Sequence, residues 1–226
     1  MQISSAIFEC SAPNREAWPD EALPEFAFIG RSNVGKSSLL NMLSGKPGLA
    51  RVSPTPGFTK LINFFIVNDH WRLVDLPGYG YAEGSRKHVS LFNRAVADYL
   101  RQRPNLSCVF VLIESGLPPQ DIDVEFLEWL ARHHVPFVLV FTKADKVNAA
   151  TTQTNTAAFM ERVGAWFVKP PTVFTCSAFT GQGRPELLGV IDETVKAIDA
   201  STPDPLPQRK SATPQRKKRP DLNRPW

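Results

Sequence analysis

The sequence predicts an α/β fold: a six-stranded, mostly parallel sheet with one antiparallel edge strand and helices on both faces. Three observations predict it. Apolar runs of strand length recur at "FAFI" (26–29), "CVFVLI" (108–113), "PFVLVF" (136–141) and "TVFT" (172–175), each followed by a polar or glycine-bearing loop and then a helical pattern. That alternation is the mark of buried parallel strands joined by crossover helices. Two more runs, "LINFFIV" (61–67) and "WRLVDL" (71–76), are separated only by Asn68, Asp69 and His70, which reads as a hairpin. Finally, "GRSNVGKSS" (30–38) lies between the first strand and the first helix, where a strand-to-helix turn can wrap a phosphate.

Taken in order, residues 1–25 carry Pro13, Pro19 and Pro24 and show no periodicity, so they read as an N-terminal arm. The globular domain is expected over 26–200. Helices are predicted over Lys36–Ser44, Val89–Gln102, Ile122–His133, Thr152–Val163 and Pro185–Ala200, with Pro104, Pro136 and Pro170 in loops after helices. In the third, Ile122, Phe126, Trp129 and Leu130 share one face. From 201 to 226 prolines alternate with basic and small residues and little apolar remains to bury, so a disordered tail is expected. Ligands of open α/β sheets lie beyond the carboxyl ends of the strands, so the loops at 30–37, 75–88, 142–145 and 176–183 should meet at one crevice.

Composition narrows the class. A chain of 226 residues that is 42% hydrophobic and 21% charged can bury one good core. No stretch reaches the roughly 18 consecutive apolar residues of a membrane span, and "MQISSAIFEC" lacks the basic start and apolar run of a signal peptide. A cytoplasmic, monomeric protein without membrane attachment is expected. Cys10, Cys108 and Cys176 are odd in number and far apart, which suggests reduced thiols rather than a disulfide framework or zinc site. His70, His88, His133 and His134 form no ligand pattern and read as surface or helix-end residues. Of the formal +4 charge, Pro203–Trp226 holds seven basic and two acidic residues, leaving the remainder near −1.

Four motifs carry the chemistry. Gly30, Arg31, Ser32, Asn33, Val34, Gly35, Lys36 and Ser37 fit G-x-x-x-x-G-K-[ST]. Its glycines let backbone N–H groups close around an anion, Lys36 would reach the β- and γ-phosphates, and the Ser37 hydroxyl would ligate Mg²⁺. A chance match in a glycine-bearing turn is the alternative. At the end of the third strand, Asp75, Leu76, Pro77 and Gly78 would give a magnesium aspartate and, at Gly78, an N–H for a γ-phosphate; by itself D-x-x-G is a common turn. After "PFVLVF" come Thr142, Lys143, Ala144 and Asp145. A carboxylate there can accept from guanine N1–H and the 2-amino group, donors that adenine lacks, although an aspartate capping the next helix would look the same. Thr175, Cys176, Ser177 and Ala178 close the last strand, with a backbone N–H near Ala178 for guanine O6.

In this order the motifs resemble the small GTPases of the translation-factor-related class. "GRSNVGKSS", "TPGFTKLINFF", "LVDLPGYGYA" and "TKADK" more specifically resemble EngB-type ribosome-biogenesis GTP-binding proteins, over about residues 8–198. The resemblance implies a P-loop GTPase fold, GTP and GDP as ligands, Mg²⁺, and a nucleotide-dependent role in assembling the large ribosomal subunit, on ribosomal RNA and protein, with a link to cell division and septation. It makes Thr59 the switch threonine that ligates Mg²⁺, with Thr55 as rival, and lines the nucleotide with Gly57, Phe58, Thr59, Lys60 and Leu61. Lys36, Thr59, Gly78 and Asn33 become the candidate catalytic residues. Asn33 stands as in potassium-activated GTPases, where K⁺ sits against the β- and γ-phosphates; a plain turn residue is its other reading. Tyr79 occupies the position where other GTPases place a water-orienting glutamine, which implies slow intrinsic turnover. Two departures are "IESGLPPQDID", where the family has an Asp-x-Arg-like segment, and Phe179 in place of a common lysine.

Two other classes compete. An ATP-dependent phosphotransferase would leave "TKAD" without purpose and would want an arginine-rich lid, which is not evident. A nucleic-acid-binding module with a structural nucleotide would draw on "PQRKKRPDLNRPW", yet basic tails are commonly solvated and no RNA-recognition motif with stacking aromatics is present.

Overall fold

The computed structural model describes residues 1–20, 22–51, 61–80, 94–164, 166–167 and 170–201. Seven strands, β1 (Ala6–Ala12), β2 (Glu25–Gly30), β3 (Ile62–Val67), β4 (Trp71–Asp75), β5 (Leu106–Glu114), β6 (Phe137–Thr142) and β7 (Val173–Thr175), form one sheet in the order β1-β3-β4-β2-β5-β6-β7. β1, β3 and β4 pair antiparallel, and the rest of the sheet is parallel.

The expected six strands are therefore seven: β3 is the strand that runs against the others, and the edge beyond it is β1, drawn from the segment read as an arm. A bulge between Phe8 and Cys10 breaks its alternation, so the period-two signal that betrays a half-buried strand is absent. What holds β1 in place lies far off in sequence. Asn68 Oδ1 accepts from the Ser4 and Ser5 amides at 2.8 and 3.1 Å, and Asn68 Nδ2 donates to the Gln2 carbonyl at 2.8 Å. Asn68 and Asp69 have φ of 51° and 53°, a left-handed pair that His70 N closes on the Val67 carbonyl at 3.0 Å within the three-residue loop between Val67 and Trp71.

The helices are α1 (Lys36–Ser44), α2 (Arg94–Gln102), α3 (Asp121–Arg132), α4 (Ala149–Gly164) and α5 (Arg184–Ser201). Their limits agree with the sequence expectation to within three residues, except that 89–93 of the second lie outside the described residues. Side-chain alternation sends Phe26 and Phe28 to one face of β2 and Ala27 and Ile29 to the other, and every one of these is fully buried. Leu39, Leu40 and Leu43 of α1 pack with Leu187, Ile191 and Val195 of α5 on the first face. Tyr99 of α2, Phe126 and Leu130 of α3, and Phe159 and Val163 of α4 fill the second.

β2 lies between β4 and β5, so the chain leaves it toward one side of the sheet and later returns on the other. That reversal opens a crevice at the carboxyl ends of the central strands. At the opposite end of the sheet the fully buried Glu25 accepts from Arg103 Nε and Nη2 at 2.9 and 2.6 Å and from the Tyr99 hydroxyl at 2.8 Å. Among the described residues no helix is long and apolar enough to cross a membrane.

Candidate functional site

The phosphate loop starts where β2 runs out. A Cβ on Gly30 would lie 2.7 Å from the Leu112 carbonyl oxygen and 2.9 Å from Val34 Cγ1, so only glycine lets the loop close against β5. Asn33 (φ 64°) and Gly35 (φ 102°) then adopt left-handed backbone, which asparagine tolerates locally and glycine adopts freely. The alternation of handedness turns successive N–H groups toward one concavity, the arrangement that binds anions. Arg31 and Ser32 are half-buried at its edge, and Val34 is buried beneath it. The Val34 carbonyl accepts from Thr142 Oγ1 at 2.6 Å, a hydroxyl that lies 3.2 Å from the Ile113 carbonyl as well. A hydroxyl has one proton, so Thr142 is committed to tying β6 to the phosphate loop, a role its place in the sequence motif did not reveal.

Lys36 opens α1 and its Nζ ion-pairs with Asp75 Oδ1, both side chains nearly fully buried. Asp75 faces Phe28 across the β2/β4 ladder, which brings the end of β4 alongside the loop. Its other oxygen, Oδ2, accepts from Asn63 Nδ2 at 3.4 Å. Leu76 and Pro77 are buried, with Leu76 N donating to the Phe28 carbonyl at 3.1 Å. A Cβ on Gly78 would stand 2.8 Å from the Gly30 carbonyl oxygen, so the two motifs touch at backbone level. Ser37 follows Lys36 in the first turn of α1, half-exposed. One hydroxyl and one carboxylate beside a phosphate cradle are hard oxygen donors of the kind that would suit Mg²⁺. Among the described residues no three His, Cys, Asp or Glu cluster as a metal site, and a protein-only cage is not what this chemistry uses.

The base side is a cavity of about 160 Å³ bordered by Gly35, Ser38, Leu39, Thr142, Lys143, Asp145, Lys146, Cys176, Ala178 and Phe179. Lys143 takes left-handed backbone (φ 58°); its stem passes over Gly35 and its Nζ pairs with Glu114 at 2.8 Å. Ala144 N donates to the Cys176 carbonyl at 3.1 Å, which joins the two base-side loops. Asp145 is exposed, and its Oδ1 accepts from the buried Ser177 hydroxyl at 2.6 Å. Ser177 Oγ in turn accepts from the amides of Phe179 and Thr180 at 3.2 and 3.1 Å. Cys176 borders the cavity as a protonated thiol, its pKa pushed up to about 12 by burial and by the Asp145 charge.

Most of the sequence-predicted residues therefore meet in one crevice. Thr175 ends β7 and borders a neighbouring groove instead. Leu61 precedes β3, exposed and not among the residues that border the cavity. Gly57, Phe58, Thr59, Lys60, the rival Thr55, His88 and residues 202–226 of the expected tail lie outside the described residues, while Ser201 ends α5. Sequence reasoning did not select Ser38, Leu39 or Lys146, which border the cavity. It also passed over Asp123, which holds Arg31 and Tyr79 together. Ser38, Leu39 and Lys146 adjoin motif residues, so motif adjacency was a signal; Asp123 had none.

Comparisons with known proteins bear on this arrangement. The family of 50S ribosome-binding GTPases matches residues 25–143. Proteins named probable GTP-binding protein EngB are 45% identical in Phocaeicola vulgatus (88% of this chain, all of the relative) and 47% identical in Porphyromonas gingivalis (85% and 96%). A crystal structure of a probable GTP-binding protein EngB superposes with a TM-score of 0.59 at 25% identity, over 76% of this chain and 99% of that one. Era in complex with MgGDPNP and a 16S ribosomal RNA fragment shares the fold, with a TM-score of 0.58 at 21% identity over 76% of this chain and 56% of that one.

Proposed function

The chain belongs to the EngB GTP-binding proteins of the 50S ribosome-binding GTPase family, and from that premise we propose that it is a GTP-operated switch in assembly of the large ribosomal subunit. It is a P-loop GTPase, binding GTP and GDP and hydrolysing GTP. The observation that carries the guanine reading is the base cavity, in which an exposed carboxylate, Asp145, is held in orientation by Ser177. That carboxylate would accept from guanine N1–H and the 2-amino group. Gly30–Ser37 and Gly78 would take the phosphates; Ser37, Asp75 and Thr59 would hold Mg²⁺, which would supply charge neutralisation at the phosphates. Lys36 would exchange its Asp75 partner for phosphate oxygen.

Slow intrinsic hydrolysis fits the position of Tyr79, which is 1% exposed and stacked on Phe126 with ring centroids 4.3 Å apart. A side chain buried there orients no water. Asn33, exposed at the lip of the loop, is the place for K⁺; exchanging K⁺ for Na⁺ should lower single-turnover hydrolysis, and equal rates refute the cation. The seven basic residues of Pro203–Trp226 would add salt-sensitive attachment to ribosomal RNA. A cytoplasmic monomer is the proposed working form, and effects on division and septation would follow from ribosome supply.

Competition binding of GDP against ADP tests the base, and Asp145→Asn should weaken GDP and shift preference toward xanthine nucleotides. Co-sedimentation with ribosomal subunits in GDP and in a non-hydrolysable GTP analogue tests the switch. State-independent association would favour the alternative, a nucleic-acid-binding module with a structural nucleotide.

A further inference from the structure

Asp123 sits in the first turn of α3, outside every motif, and its side chain is 1% exposed. A carboxylate so buried needs compensation, and it comes from two separate loops. Arg31 Nε lies 3.1 Å from both carboxylate oxygens, and the Tyr79 hydroxyl donates to Oδ1 at 2.9 Å. Arg31 is the second residue of the phosphate loop, and Tyr79 directly follows Gly78. Those two residues also bridge as parallel strands, with Tyr79 N donating to the Gly30 carbonyl at 3.3 Å. Beyond them Gly80 (φ 82°) fits so close to α3 that a Cβ would lie 2.8 Å from Ile122 Cδ1.

We propose that Asp123 is a positioning residue that sets the spacing between the phosphate loop, through Arg31, and the Gly78 peptide, through Tyr79, and thereby sets how well the protein distinguishes GTP from GDP. This rests on Gly78 serving the γ-phosphate. A buried ion pair contributes little net stability compared with an apolar packing of the same shape. Its value lies in directionality: Tyr79 already packs on Phe126 without its hydroxyl, and the hydrogen bond fixes where along α3 the ring, and with it the neighbouring peptide, comes to rest. A displacement of Gly78 alters a contact that GDP does not make. Arg31 transmits the same constraint to the loop that both nucleotides use, but the loop is independently held by Thr142 and by the close approach of Gly30 to Leu112. The selective effect therefore falls on the γ-phosphate.

The test is binding of GDP and of a non-hydrolysable GTP analogue, with Mg²⁺, to the full chain carrying Tyr79→Phe, Asp123→Asn, or both, alongside thermal unfolding. Tyr79→Phe keeps the ring and removes only the hydroxyl. Expected is an analogue affinity lowered about tenfold, toward the low end for a hydrogen bond to a charged group, with GDP affinity within about threefold and the double variant no worse than either single one. Equal losses for both nucleotides, unchanged analogue binding, or additive effects would overturn it. Should Asp123→Asn fail to fold, Tyr79→Phe alone decides the matter by the same ratio. Failure of the wild type to prefer GDP over ADP would count instead against the guanine reading, since Asp123 does not approach the base cavity.

Discussion

Ser177→Ala removes one hydroxyl that does three things: it donates to Asp145 Oδ1 at 2.6 Å and accepts from the amides of Phe179 and Thr180. A hydrogen bond to a charged group is worth roughly 1.5–3 kcal/mol. Asp145 is exposed and Phe179 is 89% exposed, so water replaces most of what is lost and the stability cost should be near 1 kcal/mol. Binding suffers differently. The freed carboxylate must be ordered again when the base arrives, and immobilising a side chain costs about 0.5–1.5 kcal/mol. GDP affinity should therefore fall about fivefold, while the preference for GDP over ADP survives because the carboxylate itself remains. A fluorescent-GDP titration with ADP competition, run beside Asp145→Asn, measures both. Unchanged GDP affinity, or a loss of base preference as deep as in Asp145→Asn, would refute the idea that Ser177 orients Asp145.

Gly30→Ala should drive the phosphate loop off β5, weakening GDP and GTP alike by at least about tenfold with about 1–3 kcal/mol lost from overpacking; calorimetric titration and urea unfolding check it. Glu25→Ala strips Arg103 and Tyr99 of their buried acceptor, and breaking a buried pair costs about 3–5 kcal/mol, so the urea midpoint should drop sharply while nucleotide selectivity in the remaining folded protein is kept. A loss under about 1 kcal/mol would mean that Arg103 and Tyr99 find other partners. In the native protein at pH 8, alkylation should reach half-buried Cys10 first. Cys108 and Cys176 are pushed up to about 12 by burial, which leaves on the order of one thiolate in ten thousand, and peptide mass spectrometry reads the order.

By itself the sequence determined the parallel core of the sheet, the four motif loops and, among the described residues, the extents of the helices. Those features are local: a run such as "FAFI" is apolar because both of its faces are covered, and Gly30, Gly35 and Lys36 are dictated by a turn a few residues long. The crevice could be placed as well, since connection topology alone puts those loops at the carboxyl ends of the strands. Only the tertiary structure decided that Ala6–Ala12 is a strand, because its bulge erases the period and Asn68, some sixty residues away, holds the segment down. Only it decided that the Thr142 hydroxyl ties down the phosphate loop, and that Asp123 joins Arg31 to Tyr79 across ninety-two and forty-four residues. An aspartate at the start of a helix reads as a solvated, dipole-favoured charge. What buries it is the approach of two other loops, and a hydrogen bond between residues so far apart leaves no pattern along the chain.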